Sequence, residues 1–131
     1  MPEEVVEDNF KISTQRPDPD IVLVTIAGDL DIGTVPQATA FLTHAIALPS
    51  RHLVLDLSGV KFLSSSGLAL LIAAQSDDGT THGPQLHLVG VTGNRPVERP
   101  PALIGVLDRF DIATDLDTLL ARLHAVEPLA D

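Results

Sequence analysis

The sequence predicts an α/β fold: a mixed, mostly parallel β-sheet with helices against it and an antiparallel N-terminal edge strand. Three observations predict it. Continuous β-branched and aliphatic runs occupy residues 21–27, 52–57 and 86–91, as strands buried on both faces require. Segments with apolar residues at helical spacing separate these runs. The resulting order, β-β-α-β-α-β-α-β-α, needs right-handed crossovers, which set consecutive strands parallel.

Each element has its own signal. Residues 1–9 read as a loose acidic arm ahead of a core spanning about 10–126, within a single domain of 1–131. Residues 10–14 alternate apolar and polar, the pattern of a half-buried strand. Two prolines in 15–20 predict a turn, so that 10–14 and 21–27 form an antiparallel hairpin. Thr34 is placed to cap a helix, with Pro36 in its first turn and Pro49 ending it. Val35, Ala38, Phe41, Leu42, Ala45 and Ile46 form its apolar face. A loop then joins the strand 52–57 to a helix over 64–75, opened by serines. Residues 77–84 read as a polar turn, 92–101 as a proline-rich loop, 102–108 as a short helix and 110–113 as a short strand. Thr114 and Asp115 cap a last helix, with Asp117 offering a capping box, and Leu116, Leu119, Leu120 and Leu123 form its stripe.

Composition excludes several functions. Eight Lys and Arg face 18 Asp and Glu, a formal net charge of −10, so the surface repels nucleic acid and anionic membranes. Cysteine is absent, which removes disulfides, thiolate chemistry and sulfur-based zinc sites. The N-terminus has no basic or apolar signal-peptide region, and the run 68–74 is too short to span a membrane. These features predict a cytoplasmic protein. His44, His52, His82, His87 and His124 show no metal or triad spacing. No nucleophile elbow, Walker loop or dinucleotide fingerprint is present. The expectation is a chain with no catalytic residues, no metal and no cofactor, hence not an enzyme.

In α/β sheets, functional groups gather past the carboxyl ends of the strands. That rule selects 28–33, 58–67 and 90–95. The sharpest segment is Leu55-Asp56-Leu57-Ser58-Gly59-Val60-Lys61-Phe62-Leu63-Ser64-Ser65-Ser66-Gly67-Leu68. One serine suffices to cap a helix. Three, followed by a glycine, also set hydroxyls at a positive helix end that favours an anion. Asp29 and Asp31 serve the following turn as Asx groups or face a ligand. Asp56 lies within a strand as a hydrogen-bonding group, and Lys61, Arg95 and Arg99 are loop cations.

Here the residues resemble a known family. Asp29-Leu30-Asp31 with Thr34 and Pro36, followed by Leu55-Asp56-Leu57-Ser58 and the run from Phe62 to Leu68, resemble a STAS domain of the bacterial anti-sigma factor antagonist type. The likeness runs from about Ile21 to about Leu123. It implies a STAS-like fold and a partner switch in transcription regulation. Such proteins bind an anti-sigma factor with a histidine-kinase-like ATPase fold, which frees the sigma factor. The anti-sigma factor phosphorylates the first serine of the family's Asp-Ser-Ser-Gly motif, here Ser65, and a serine phosphatase resets it. Ser64 stands where the family has Asp, which makes Ser64 a rival acceptor. The implied partner surface comprises Asp29, Asp31, Thr34, Lys61, Ser64, Ser65, Ser66 and Gly67.

Two other readings stand beside it. One is a noncatalytic STAS subunit of a larger signalling or transport assembly. The other is a receiver-like domain phosphorylated on Asp56, with Asp29 and Asp31 holding Mg²⁺. The oligomeric state does not follow from any of these residues.

Overall fold

The computed structural model describes residues 4–7, 9–77, 84–98 and 110–126. Its elements are β1 (Glu4–Glu7), β2 (Phe10–Asp18), β3 (Ile21–Leu30), α1 (Val35–Ala47), β4 (His52–Leu63), α2 (Ser65–Asp77), β5 (Gln85–Val89), α3 (Arg95–Glu98), β6 (Asp111–Ala113) and α4 (Leu116–Val126). The strands form one sheet in the order β1-β2-β3-β4-β5-β6. β1, β2 and β3 are antiparallel neighbours, and β3, β4, β5 and β6 run parallel. This is the α/β arrangement that the alternating strands and helices predict.

Side-chain alternation divides the core between the two faces of the sheet. Val22, Val24 and Ile26 of β3, Leu53, Leu55 and Leu57 of β4, and Leu86 and Leu88 of β5 pack with Phe41 and Leu42 of α1 and Leu71 of α2. Val97 of α3 joins the same cluster. On the opposite face Ile21, Leu23, Val54, Val89 and Ala113 meet Leu119 and Leu123 of α4.

The structure corrects several expectations. Part of the predicted loose arm is a strand: Glu4–Glu7 pairs with β2, with Val5 opposite Ile12, and Val5 packs against the core. β2 also continues through Pro17 to Asp18. The register shifts between Gln15 and Asp18, and such an irregularity is where a strand tolerates proline. Arg16 ties this turn down by donating to the carbonyls of Pro19 and Pro49, each at 2.9 Å.

β4 does not end at Leu57. It continues to Leu63, pairing Gly28 with Val60, Asp29 with Phe62 and Leu30 with Leu63 across two register shifts. The predicted loop is therefore the far half of a twelve-residue strand. Within the proline-rich segment after β5 lies the short helix α3, where Pro96 sits in the first turn and lacks only a donor the helix does not use. Asn94 anchors this segment by donating to the carbonyls of Leu57 (2.8 Å) and Val60 (3.3 Å). α4 is capped by Asp115 rather than Thr114: its carboxylate accepts the Thr118 N–H at 2.8 Å. The helix expected over 102–108 lies outside the described residues, as does most of the predicted turn 77–84.

Candidate functional site

The register of β3 and β4 places two strand ends side by side. Leu30 and Leu63 pair as the last residues of their strands. The turn 31–34 leads from one into α1, and Ser64 leads from the other into α2. The 28–33 and 58–67 segments therefore meet at one edge of the molecule.

The three serines take different parts there. Ser64 donates its hydroxyl to the Leu30 carbonyl and accepts the Gly67 N–H, both at 3.2 Å. Its backbone N–H also reaches Leu30 O at 3.0 Å, and its carbonyl accepts Leu68 N–H at 2.9 Å. Ser64 is the N-cap of α2 and the rivet that fixes α2 to β3. An aspartate, equally good as an N-cap, would accept the same N–H from this position. Ser65 is the first helical residue and is exposed. Ser66 is half-buried.

Gly67 is buried, and its role is close approach. A Cβ there would come within 2.7 Å of Leu30 O, 2.8 Å of Leu63 Cδ1 and 2.9 Å of Leu30 Cγ. Real Cβ atoms essentially never come so near. The helix start lies flush against the strand ends because this residue has no side chain.

The turn after β3 is built by its own polar groups. Thr34 does not use its hydroxyl to cap α1. Its Oγ1 donates to the Asp29 carbonyl at 2.8 Å and accepts the Asp31 N–H at 3.0 Å. The Asp31 carboxylate accepts the N–H groups of Gly33 (2.9 Å) and Thr34 (3.2 Å). Asp31 and Thr34 thus hold the turn together.

Asp29 follows Gly28, whose φ of +90° and approach to Asn9 O exclude a side chain. The Asp29 N–H donates to that same Asn9 carbonyl at 2.7 Å. Asp29 lines two adjoining clefts. One, of about 260 Å³, also has Asn9, Lys11, Gly28, Gly59 and Lys61. The other, of about 500 Å³, also has Glu7, Asn9, Asp31, Gly33 and Thr34. Lys61 is exposed on β4 between Val60 and Phe62.

Sequence reasoning missed two residues of this edge. Ile32 is 80% exposed in the turn and Phe62 is 50% exposed at the end of β4. With Val6 they are the exposed large hydrophobic side chains among the described residues. A lone aliphatic residue inside an otherwise polar turn was the available signal for Ile32. Chemically, the edge presents a free-standing hydroxyl at the positive end of a thirteen-residue helix, beside uncovered apolar surface, a cleft of mixed charge and an acidic one.

Asp56 does not join this group. It pairs with Thr25, four residues before Asp29, a separation of about 13 Å along the strand. Its carboxylate accepts the Ser58 N–H (2.9 Å) and hydroxyl (2.7 Å). The three aspartates of the receiver-like reading are not brought to one point. No cluster of potential metal ligands occurs among the described residues.

Two of the histidines meet in space, although nothing in their sequence spacing announces it. His52 and His87 hydrogen-bond across adjacent strands at 3.0 Å, at the opposite end of β4 from Ser65. Aligning the parallel runs of β4 and β5 by register, rather than searching for spacing within one segment, is the signal that finds them.

The STAS domain family model matches residues 12–119. Among solved structures, the chain is similar to an anti-sigma factor antagonist from Mycobacterium paratuberculosis, with 27% identity and a TM-score of 0.73 over 91% of this chain and 97% of that one. It shares its fold with a Ser-to-Glu variant of RsbS from Moorella thermoacetica, at 21% identity and a TM-score of 0.65 over 88% and 96% of the two chains. The same holds for the Bacillus cell-fate determinant SpoIIAA in its phosphorylated form, at 18% and 0.61 over 86% and 98%. No curated protein matches.

Proposed function

The chain belongs to the STAS domain family, and on that premise we propose that it is an anti-sigma factor antagonist. It binds an anti-sigma factor with a histidine-kinase-like ATPase fold, and binding frees a sigma factor. Phosphorylation of Ser65 by that ATPase ends the interaction, and a serine phosphatase restores it. The chain acts by binding, in the cytoplasm, and carries out no reaction itself. Among the described residues no helix is long and apolar enough to cross a membrane.

The observation that carries this reading is the division of labour between Ser64 and Ser65. Ser64 is committed as donor and acceptor to the fold, while Ser65 stands exposed on the same edge as Ile32 and Phe62. A phosphate on Ser65 adds about −1.5 to −2 charges. At a helix N-terminus that charge is locally favourable, so the fold survives. The interface does not: breaking polar complementarity at its core costs about 2–5 kcal/mol, roughly 30- to 5000-fold in affinity. Asp29, Asp31, Thr34, Lys61, Ser66 and Gly67 complete the partner edge, the last by letting α2 sit close.

Recovery of bound proteins from the native cell, followed by phosphosite mapping, tests the reading. A histidine-kinase-like ATPase that binds the unmodified chain and places phosphate on Ser65 is the expected result. Undiminished binding by Ser65→Glu refutes the switch.

A further inference from the structure

Under α4, on the opposite side of the sheet from α1 and α2, lies a chain of hydrogen-bonded polar groups. His87 of β5 is 2% exposed, the buried polar side chain in an otherwise apolar core among the described residues. Its Nδ1 bonds the Asp111 carboxylate of β6. Its Nε2 meets His52 Nδ1 of β4 at 3.0 Å. The same Asp111 oxygen accepts from Arg122 of α4 at 2.6 Å. The helix is thus tied to the strands through a carboxylate that also holds a histidine.

Counting protons shows what this arrangement tolerates. A carboxylate partner requires His87 to carry hydrogen on Nδ1. Between His87 Nε2 and His52 Nδ1 there is room for one hydrogen. With both rings neutral, His52 donates it in the tautomer that carries hydrogen on Nδ1. With one ring cationic, either nitrogen holds it and the bond survives. With both rings cationic, two N–H groups point at each other across 3.0 Å, and His87, 2% exposed, is shut away from solvent.

We propose that the His52–His87 pair is a proton-counting latch, which keeps α4 seated on the sheet with zero or one extra proton and releases it when a second binds. Release hydrates His87 and separates Arg122 from Asp111. The device is independent of the serine switch and of the partner's identity.

The surrounding charges set its sign. Asp111 and Arg122 offset one another beside His87. Asp18 of β2 lies near His52 and bonds His124 of α4 at 3.1 Å. It is held below its ordinary value, first by the Asp20 N–H and also by His124, so it remains anionic through the histidine range. This second tie, from His124 to Asp18, also holds α4 to the sheet and opposes release. Arg51, next to His52 in sequence, pairs with Asp20 at 3.9 Å.

The test uses the full chain with ¹⁵N-labelled histidine. Long-range ¹H–¹⁵N spectra from pH 8 to 4.5 count the protons on each ring. Amide exchange of Leu116–Val126, corrected for its intrinsic rate, reports opening of α4. The first added proton should leave α4 closed. The second should coincide with its opening, which rises by up to tenfold per pH unit for one proton taken up. His52→Asn keeps one hydrogen-bonding group but cannot titrate, and should remove that acid dependence. Two cationic rings beneath a closed α4 would overturn the proposal in the unmodified protein alone. So would an equal acid slope in His52→Asn, or an equal rise in exchange across α1.

Discussion

Replacing Ser64 and Ser65 one at a time separates the residue that holds the fold from the residue proposed to throw the switch. Ser64→Ala removes the hydroxyl that accepts the Gly67 N–H and donates to Leu30 O. Loss of an N-cap costs about 1 kcal/mol. For a chain of this size that lowers Tm by about 3–5 °C. Ser65→Ala removes an exposed hydroxyl with no side-chain hydrogen bond among the described residues, so stability stays within about 0.5 kcal/mol. Ser65→Glu places a negative charge in the first turn of α2 and gains about 0.3–1 kcal/mol. Stability and binding then move in opposite directions, because Ser65→Glu weakens the partner by 30-fold or more while raising Tm. Differential scanning calorimetry measures the first effect and isothermal titration with the recovered ATPase the second. Phosphate incorporation completes the comparison: Ser64→Ala is still modified and Ser65→Ala is not. The reasoning fails if Ser65→Ala melts as early as Ser64→Ala, or if phosphate follows Ser64.

Gly67→Ala should destabilise by about 1–3 kcal/mol in urea unfolding, because its Cβ collides with Leu30 and Leu63; a gain, as the better helix propensity of alanine alone predicts, would show that the strand ends yield. Phe62→Ala and Ile32→Ala remove exposed side chains, so each should leave Tm nearly unchanged while raising the partner Kd at least fivefold. Unchanged affinity in both removes them from the interface. Asp115 is held below its ordinary value of 3.8 by the Thr118 N–H. Its contribution is therefore present above about pH 3.8 and lost as pH falls through the folded value. Asp115→Asn keeps a capping group without titrating, so its Tm should fall less steeply than the parent's between pH 4 and 2. Parallel curves would place the acid sensitivity elsewhere.

Burial patterns and turn chemistry are local, and they made much of the fold legible. Ile21 to Ala27 reads as a central strand because its residues are β-branched and apolar on both faces, and β3 lies between two neighbours as that pattern demands. The serine cluster before Leu68 marked the start of α2 for the same reason: capping is a bond between residues three apart. β1 and the second half of β4 escaped notice because their strand character comes from a neighbour. Glu4–Glu7 alternates too weakly to declare itself, and residues 58–63 carry Ser, Gly and Lys that read as loop until β3 supplies paired hydrogen bonds.

The site divides along the same line. Hydroxyls at a helix N-terminus were evident from the chain alone, since order along the sequence fixes which serine precedes which. Which hydroxyl is spent on Leu30 O and which stands free depends on a strand 34 residues away. The meeting of His52 with His87, and of both with α4 through Asp111 and Arg122, likewise follows from strand register and helix docking. Sequence determines what can form within one turn or one strand; contacts between distant segments decide which of those groups remain available to act.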